Sequence, residues 1–190
     1  MDLETKFLEK IDALTKGGQW TYAKFVCLEL LYSNPNCIAA RKFLGEIRQH
    51  TRPSKKIVIY SQLFIHIILA LFYMLKIRKK PKELLLELES LLDVDPDSPW
   101  VLRLLSEVAF GFGFVETAIF SLQCIPEEIR DMDDWLLMGE SYLGSSDFIN
   151  AIKIANKVLL SSPDNLRARD LLWQASVSHS MDSDEKSNGL

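Results

Sequence analysis

Glycine and proline are scarce in this chain, with eight and seven in 190 residues. Most gather at a few joints, and the stretches between are rich in Leu, Ala, Glu and Lys, which favour helix. A sheet of many short strands would need more frequent turn residues, so an all-α fold is expected. Cysteine is scarcer still: Cys27, Cys37 and Cys124 form an odd set without C-x-x-C spacing. Neither a disulfide framework nor a thiolate metal site follows from them. Cys27 and Cys124 sit in apolar stretches, where a thiol behaves as a small hydrophobe. Met1-Asp2-Leu3-Glu4 lacks the basic start of a secretory signal, and no Asn-x-Ser/Thr sequon occurs. A reducing cytosol is the expected compartment.

Catalytic and cofactor signatures are missing too. His50, His66 and His179 stand alone, with no carboxylate or second histidine at ligand spacing. Gly111-Phe112-Gly113 lacks the third glycine and the Lys-Ser/Thr of a phosphate loop. Asp93-x-Asp95-x-Asp97 opens like a calcium loop, but the sixth position is Ser98 and the twelfth Leu104. No nucleophile–base set can be assembled, so the sequence argues against an enzyme and for no metal or cofactor. Basic clusters are short and the pI is about 5.4, so no nucleic-acid partner is expected.

What is present is a charge asymmetry and a repeat. Residues 1–82 hold 15 Lys+Arg against 6 Asp+Glu, and residues 83–190 hold 7 against 20. Complementarity between neighbouring helices is the favoured reading; a basic surface facing anionic lipid or an acidic partner is the other. The clearest repeat unit is 132–165: Trp135-x-x-Met138-Gly139-x-x-Tyr142, then Ala151, then Pro163. The small residues suit two antiparallel helices in close approach, the aromatics share one helical face, and the proline stops the second helix. A weaker copy at 99–131 has Leu102, Leu105, Ala109, Gly113 and Ala118, with Pro126 ending its second helix early. Residues 65–98 close on Asp95-Pro96-Asp97, and 4–37 give Phe7, Ile11, Leu14, Gly18, Ala23 and Asn34-Pro35-Asn36.

At these spacings the chain resembles the tetratricopeptide repeat family, strongly in 132–165 and moderately over the rest of residues 4–178. Ala155, where that family usually has Phe, predicts thinner local packing. The resemblance implies an all-α solenoid of antiparallel helix hairpins near 4–37, 38–64 (irregular), 65–98, 99–131 and 132–165. A capping helix at 166–178 and a polar, disordered tail at 179–190 would follow. It also implies an adaptor or scaffold that binds a peptide or helix of another protein in a groove lined by first helices. The groove positions fall on Trp100, Arg103, Glu107 and Phe110, then Asp133, Leu136, Glu140 and Leu143, with Arg167 and Asp170 on the capping helix. Co-chaperone members clamp a terminal carboxylate with Lys and Asn; Glu107 and Glu140 would repel one. A ligand with apolar anchors and some positive charge is expected instead.

The middle of the chain is out of step. Residues 38–50 read as a first helix with Leu44-Gly45 at signature positions, yet the next unit begins about six residues early. Lys55 to Lys80 contains no Gly or Pro, so a single helix over 54–78, capped by Ser54, is expected. Its core, Ile57–Ile77, is the most hydrophobic stretch, with Lys55-Lys56 before it and Arg78-Lys79-Lys80 after. The polar stripe Gln62, His66, Tyr73 and Lys76 favours a buried central helix over a membrane span. Contact through 57–77 with a membrane surface or a second copy is the alternative, which would make the chain a membrane-associated assembly factor held by 55–80.

Overall fold

The computed structural model describes residues 3–51, 81–93 and 95–188. Among these residues there are nine α-helices, one 3₁₀ turn at Glu127–Ile129 and no strand. The helices are α1 (Leu3–Lys16), α2 (Trp20–Ser33), α3 (Ile38–His50), α4 (Pro81–Leu91), α5 (Pro99–Gly111), α6 (Val115–Gln123), α7 (Met132–Gly144), α8 (Phe148–Ser161) and α9 (Leu166–Asn188). Each helix from α5 onward packs on the one before it, as do α2 and α3, while α4 packs on α2. The architecture is an α-solenoid of antiparallel helix hairpins, with α9 laid over α7 and α8 at its C-terminal end. No helix among the described residues is long and apolar enough to cross a membrane. The single helix expected over 54–78, with Ile57–Ile77 and His66, lies outside the described residues.

Three hairpins are closed by the same turn. Gly18, Gly113 and Ser146 all have φ between 62° and 79°. The next amide in each case reaches back to a carbonyl five residues earlier: Gln19 to Leu14 at 2.9 Å, Phe114 to Ala109 at 2.8 Å, Asp147 to Tyr142 at 2.9 Å. A left-handed residue followed by this bond satisfies the last carbonyls of the first helix and turns the chain back. Ser146 adopts φ 62° with a side chain in place, a conformation that disfavours residues other than glycine. Ser146→Gly is therefore expected to stabilise the protein by about 0.5–1 kcal/mol after the added unfolded-state entropy is counted. A urea midpoint that falls on this substitution would contradict it.

Between hairpins, the prolines sit in matching tight turns. Cys37 donates to Asn34, Ser98 to Asp95 and Asn165 to Ser162, at 3.1 to 3.2 Å across Pro35, Pro96 and Pro163. Pro126 differs, since α6 has already ended at Gln123 and a 3₁₀ turn follows, as its early position predicts. The apolar face of each helix then builds the core. Ile11, Ala23, Cys27, Leu30, Leu44 and Ile47 pack together across α1–α3. A second cluster runs from Leu84 and Leu88 through Leu102, Leu105 and Ala109 to Ala118, Leu122 and Met138. Burying such residues contributes about 25 cal/mol per Å² of apolar surface removed from water, which offsets the chain entropy lost. His50, isolated in the sequence, stacks on Trp20 at 4.1 Å between ring centres.

Oppositely charged halves meet across the helices. Arg41 and Arg48 of α3 both pair with Glu89 of α4, Arg48 also with Asp93 at 3.1 Å, and Lys24 of α2 with Asp93 at 2.6 Å. Arg41 and Glu89 are only 3% and 2% exposed, so this is an internal ion cluster.

Two expectations need correction. α9 does not stop at 178: it runs to Asn188, so residues 179–188 are helix and not a disordered tail. The first glycine after α8 is Gly189, and no proline follows Pro163, so nothing in the backbone breaks the helix. Packing around Ala155 is not thin either. Ala155 and Ala151 are fully buried against Leu171 and Ala175 of α9, which fill the volume a larger residue would have taken.

Candidate functional site

A concavity of about 400 Å³ opens between α5, the start of α7 and α9. Its floor is built by an unusual helix start. Asp131 caps α7 by accepting from the Asp134 amide at 2.9 Å, while the Asp134 carboxylate accepts from the Asp131 amide at 3.0 Å. This reciprocal cap fixes the Asp134 carboxylate, 4% exposed, where Arg103 of α5 can reach it. Arg103 Nε and Nη2 donate to Asp134 at 2.7–2.9 Å, and Nη2 also donates to the Ile129 carbonyl at 2.7 Å. The fork-to-fork bond raises the arginine above its ordinary pKa, so it stays charged.

The opposite wall repeats the device. Arg167 Nε and Nη2 donate to the two Glu140 oxygens at 2.6 and 2.7 Å, with Asp133 at 3.4 Å from Nη1. Its pKa is likewise raised, first by the Glu140 bond. Each arginine is thus matched by a carboxylate of the chain itself. Glu107, Asp131, Asp133 and Asp134 line the concavity against Arg103 and Arg167, leaving its field negative.

Of the residues singled out in the sequence, Arg103, Glu107, Asp133 and Arg167 come together here, with Glu140 bonded at the edge. Leu136 does not belong. It is 3% exposed and packs with Val158 and Ala168 in the core. Leu137 lines the concavity in its place, because it lies one helical turn beyond Asp133 on the same face and Leu136 is rotated by about 100°. Phe110 and Leu143 are half-buried against the core. Trp100 is 63% exposed, and Asp170 is exposed and accepts from Gln174 at 2.8 Å. Sequence reading missed Asp131 and Asp134; the signal was the Asp-x-x-Asp spacing ahead of an apolar run, which marks a capping pair.

The remaining candidates are absorbed into structure. Asp93 serves the ion cluster of α3 and α4, and Gly113 the hairpin turn. Trp135 lies under two cations, with Lys157 Nζ 3.6 Å and the Arg130 guanidinium 4.9 Å from its ring centre. Tyr142 accepts from Gln123 at 2.9 Å. Cys27 is buried, and burial pushes its thiol up to about 12, so it packs as an apolar group. Comparison with known protein families and with curated proteins finds no match to this chain.

Proposed function

We propose that this chain is a tetratricopeptide-type interaction module that binds a segment of another protein across the concavity between α5, α7 and α9. The segment carries lysine or arginine, and an apolar residue that meets Trp100. One observation carries this reading. Both arginines of the concavity are already bonded by Asp134 and Glu140, with Asp131 and Asp133 also in ion-pair reach of them, so carboxylates outnumber guanidiniums where an incoming chain arrives.

Selection from a random peptide library tests it. Wild-type protein is expected to enrich Lys/Arg-containing peptides, and the Glu107→Lys/Asp133→Lys variant to lose them by at least about tenfold. For a selected peptide, Trp100→Ala is expected to cost about 2 kcal/mol of affinity. Its exposure means the melting temperature should hardly move. Enrichment indifferent to both changes would place binding elsewhere.

A further inference from the structure

α9 has 23 residues, about 34 Å at 1.5 Å per residue, and the core takes up one side of it. Ala168, Leu171 and Ala175 are buried toward α7 and α8. At about 100° per residue, the opposite side carries Leu166, Asp170, Trp173, Val177 and Met181. A helix side that met only water would read polar at such positions. Four of the five are apolar instead, and Leu166, Trp173 and Met181 are 77%, 66% and 63% exposed. An exposed apolar stripe along a helix marks a surface that something covers.

The charges of α9 say what covers it. Its first turn holds Arg167 and Arg169 and no acidic residue, although a helix N-terminus favours negative charge. The sequence of its last two turns is acidic, with Asp182, Asp184 and Glu185 against Lys186, although a C-terminus favours positive charge. Within one chain, both ends oppose the helix dipole. A second α9 laid antiparallel reverses the balance at both ends. The arginine turn of each copy then stands beside the acidic turns and the negative helix end of the other. A parallel pair would set arginine on arginine and acid on acid. Arg169 bonds Asp164 and the Pro163 carbonyl, yet its side chain stays 53% exposed and open to a partner. Trp173 and Val177 lie midway between the two charged turns, so they fall where the helices of a two-fold pair cross.

We propose that the outer face of α9 docks a second copy of this chain, the two α9 helices running antiparallel about a two-fold axis. The stripe from Leu166 to Met181 supplies the apolar seam. The opposed charged turns fix its direction, which apolar contact alone would leave open.

Sedimentation velocity on the full chain tests this, with reductant present so that the exposed Cys124 cannot cross-link copies. The wild-type chain is expected to pass from monomer to dimer as its concentration rises to about 100 µM. Trp173→Asp/Met181→Asp is expected to stay monomeric there with an unchanged helix signal, since both side chains are exposed. Arg169→Glu alone, and Asp184→Lys/Glu185→Lys alone, should each weaken dimerisation by at least about tenfold. An equimolar mixture of these two charge variants should recover it, because each reversed turn then faces its complement. A wild-type chain that is monomeric at about 100 µM would overturn the second copy as occupant. A dimer that survives Trp173→Asp/Met181→Asp would place the interface elsewhere, and a mixture no tighter than its separate variants would overturn the antiparallel pairing.

Discussion

Glu89→Ala is expected to destabilise the protein by about 3–5 kcal/mol, the cost of leaving buried charge without its partner. Glu89 is 2% exposed and holds two guanidiniums at once, Arg48 at 2.9 Å through Oε2 and Arg41 through Oε1. Arg48 also donates to the Glu89 carbonyl at 2.6 Å, a bond the alanine keeps. Arg41 has little else: Nη2 donates to the Pro35 carbonyl at 3.0 Å, and Nε finds no partner among the described residues. Burial, with Arg48 nearby, already presses Arg41 down to about 9, so a second loss falls on a strained charge balance. Glu89→Gln keeps a hydrogen-bond acceptor and should lose less. Urea unfolding gives the numbers, and a loss below about 1 kcal/mol for the alanine would mean the cluster is not what holds α3 to α4.

Gly139→Leu is expected to cost about 1–3 kcal/mol or more by overpacking. A Cβ on Gly139 would stand 2.5 Å from Leu171 Cδ2 and 3.1 Å from Ile154 Cγ2. Gly139 is therefore small for two neighbours at once, α8 within its hairpin and α9 beyond it. Gly139→Ala touches chiefly the flexible end of Leu171, so it should cost far less and gain helix propensity. If leucine and alanine melt together at the wild-type temperature, α9 does not lie over α7 as described.

Helix hairpins, their prolines and the inward faces of α5–α9 were legible along the chain because they are local. A 3.6-residue period places Leu102, Leu105 and Ala109 on one side whatever the neighbours are, and glycine or proline marks the turns. The concavity was legible in part. Arg103, Glu107, Asp133 and Arg167 were found from register, but a one-residue difference in facing removed Leu136 and brought in Leu137. The length of α9 was misread because a polar sequence without a breaker is compatible with both helix and disorder.

By itself, the sequence determined the fold class, the hairpin turns and the sign asymmetry of the two halves, since composition, periodicity and charge need no partner to be read. Only the tertiary structure decided which charges meet. Arg41 and Arg48 lie at least 41 residues before Glu89, and their pairing depends on α3 and α4 facing each other across the chain between them. It also decided that Asp134 and Glu140 neutralise the arginines beside them. Coulomb attraction acts through space at a few ångströms, and sequence spacing carries no measure of that distance.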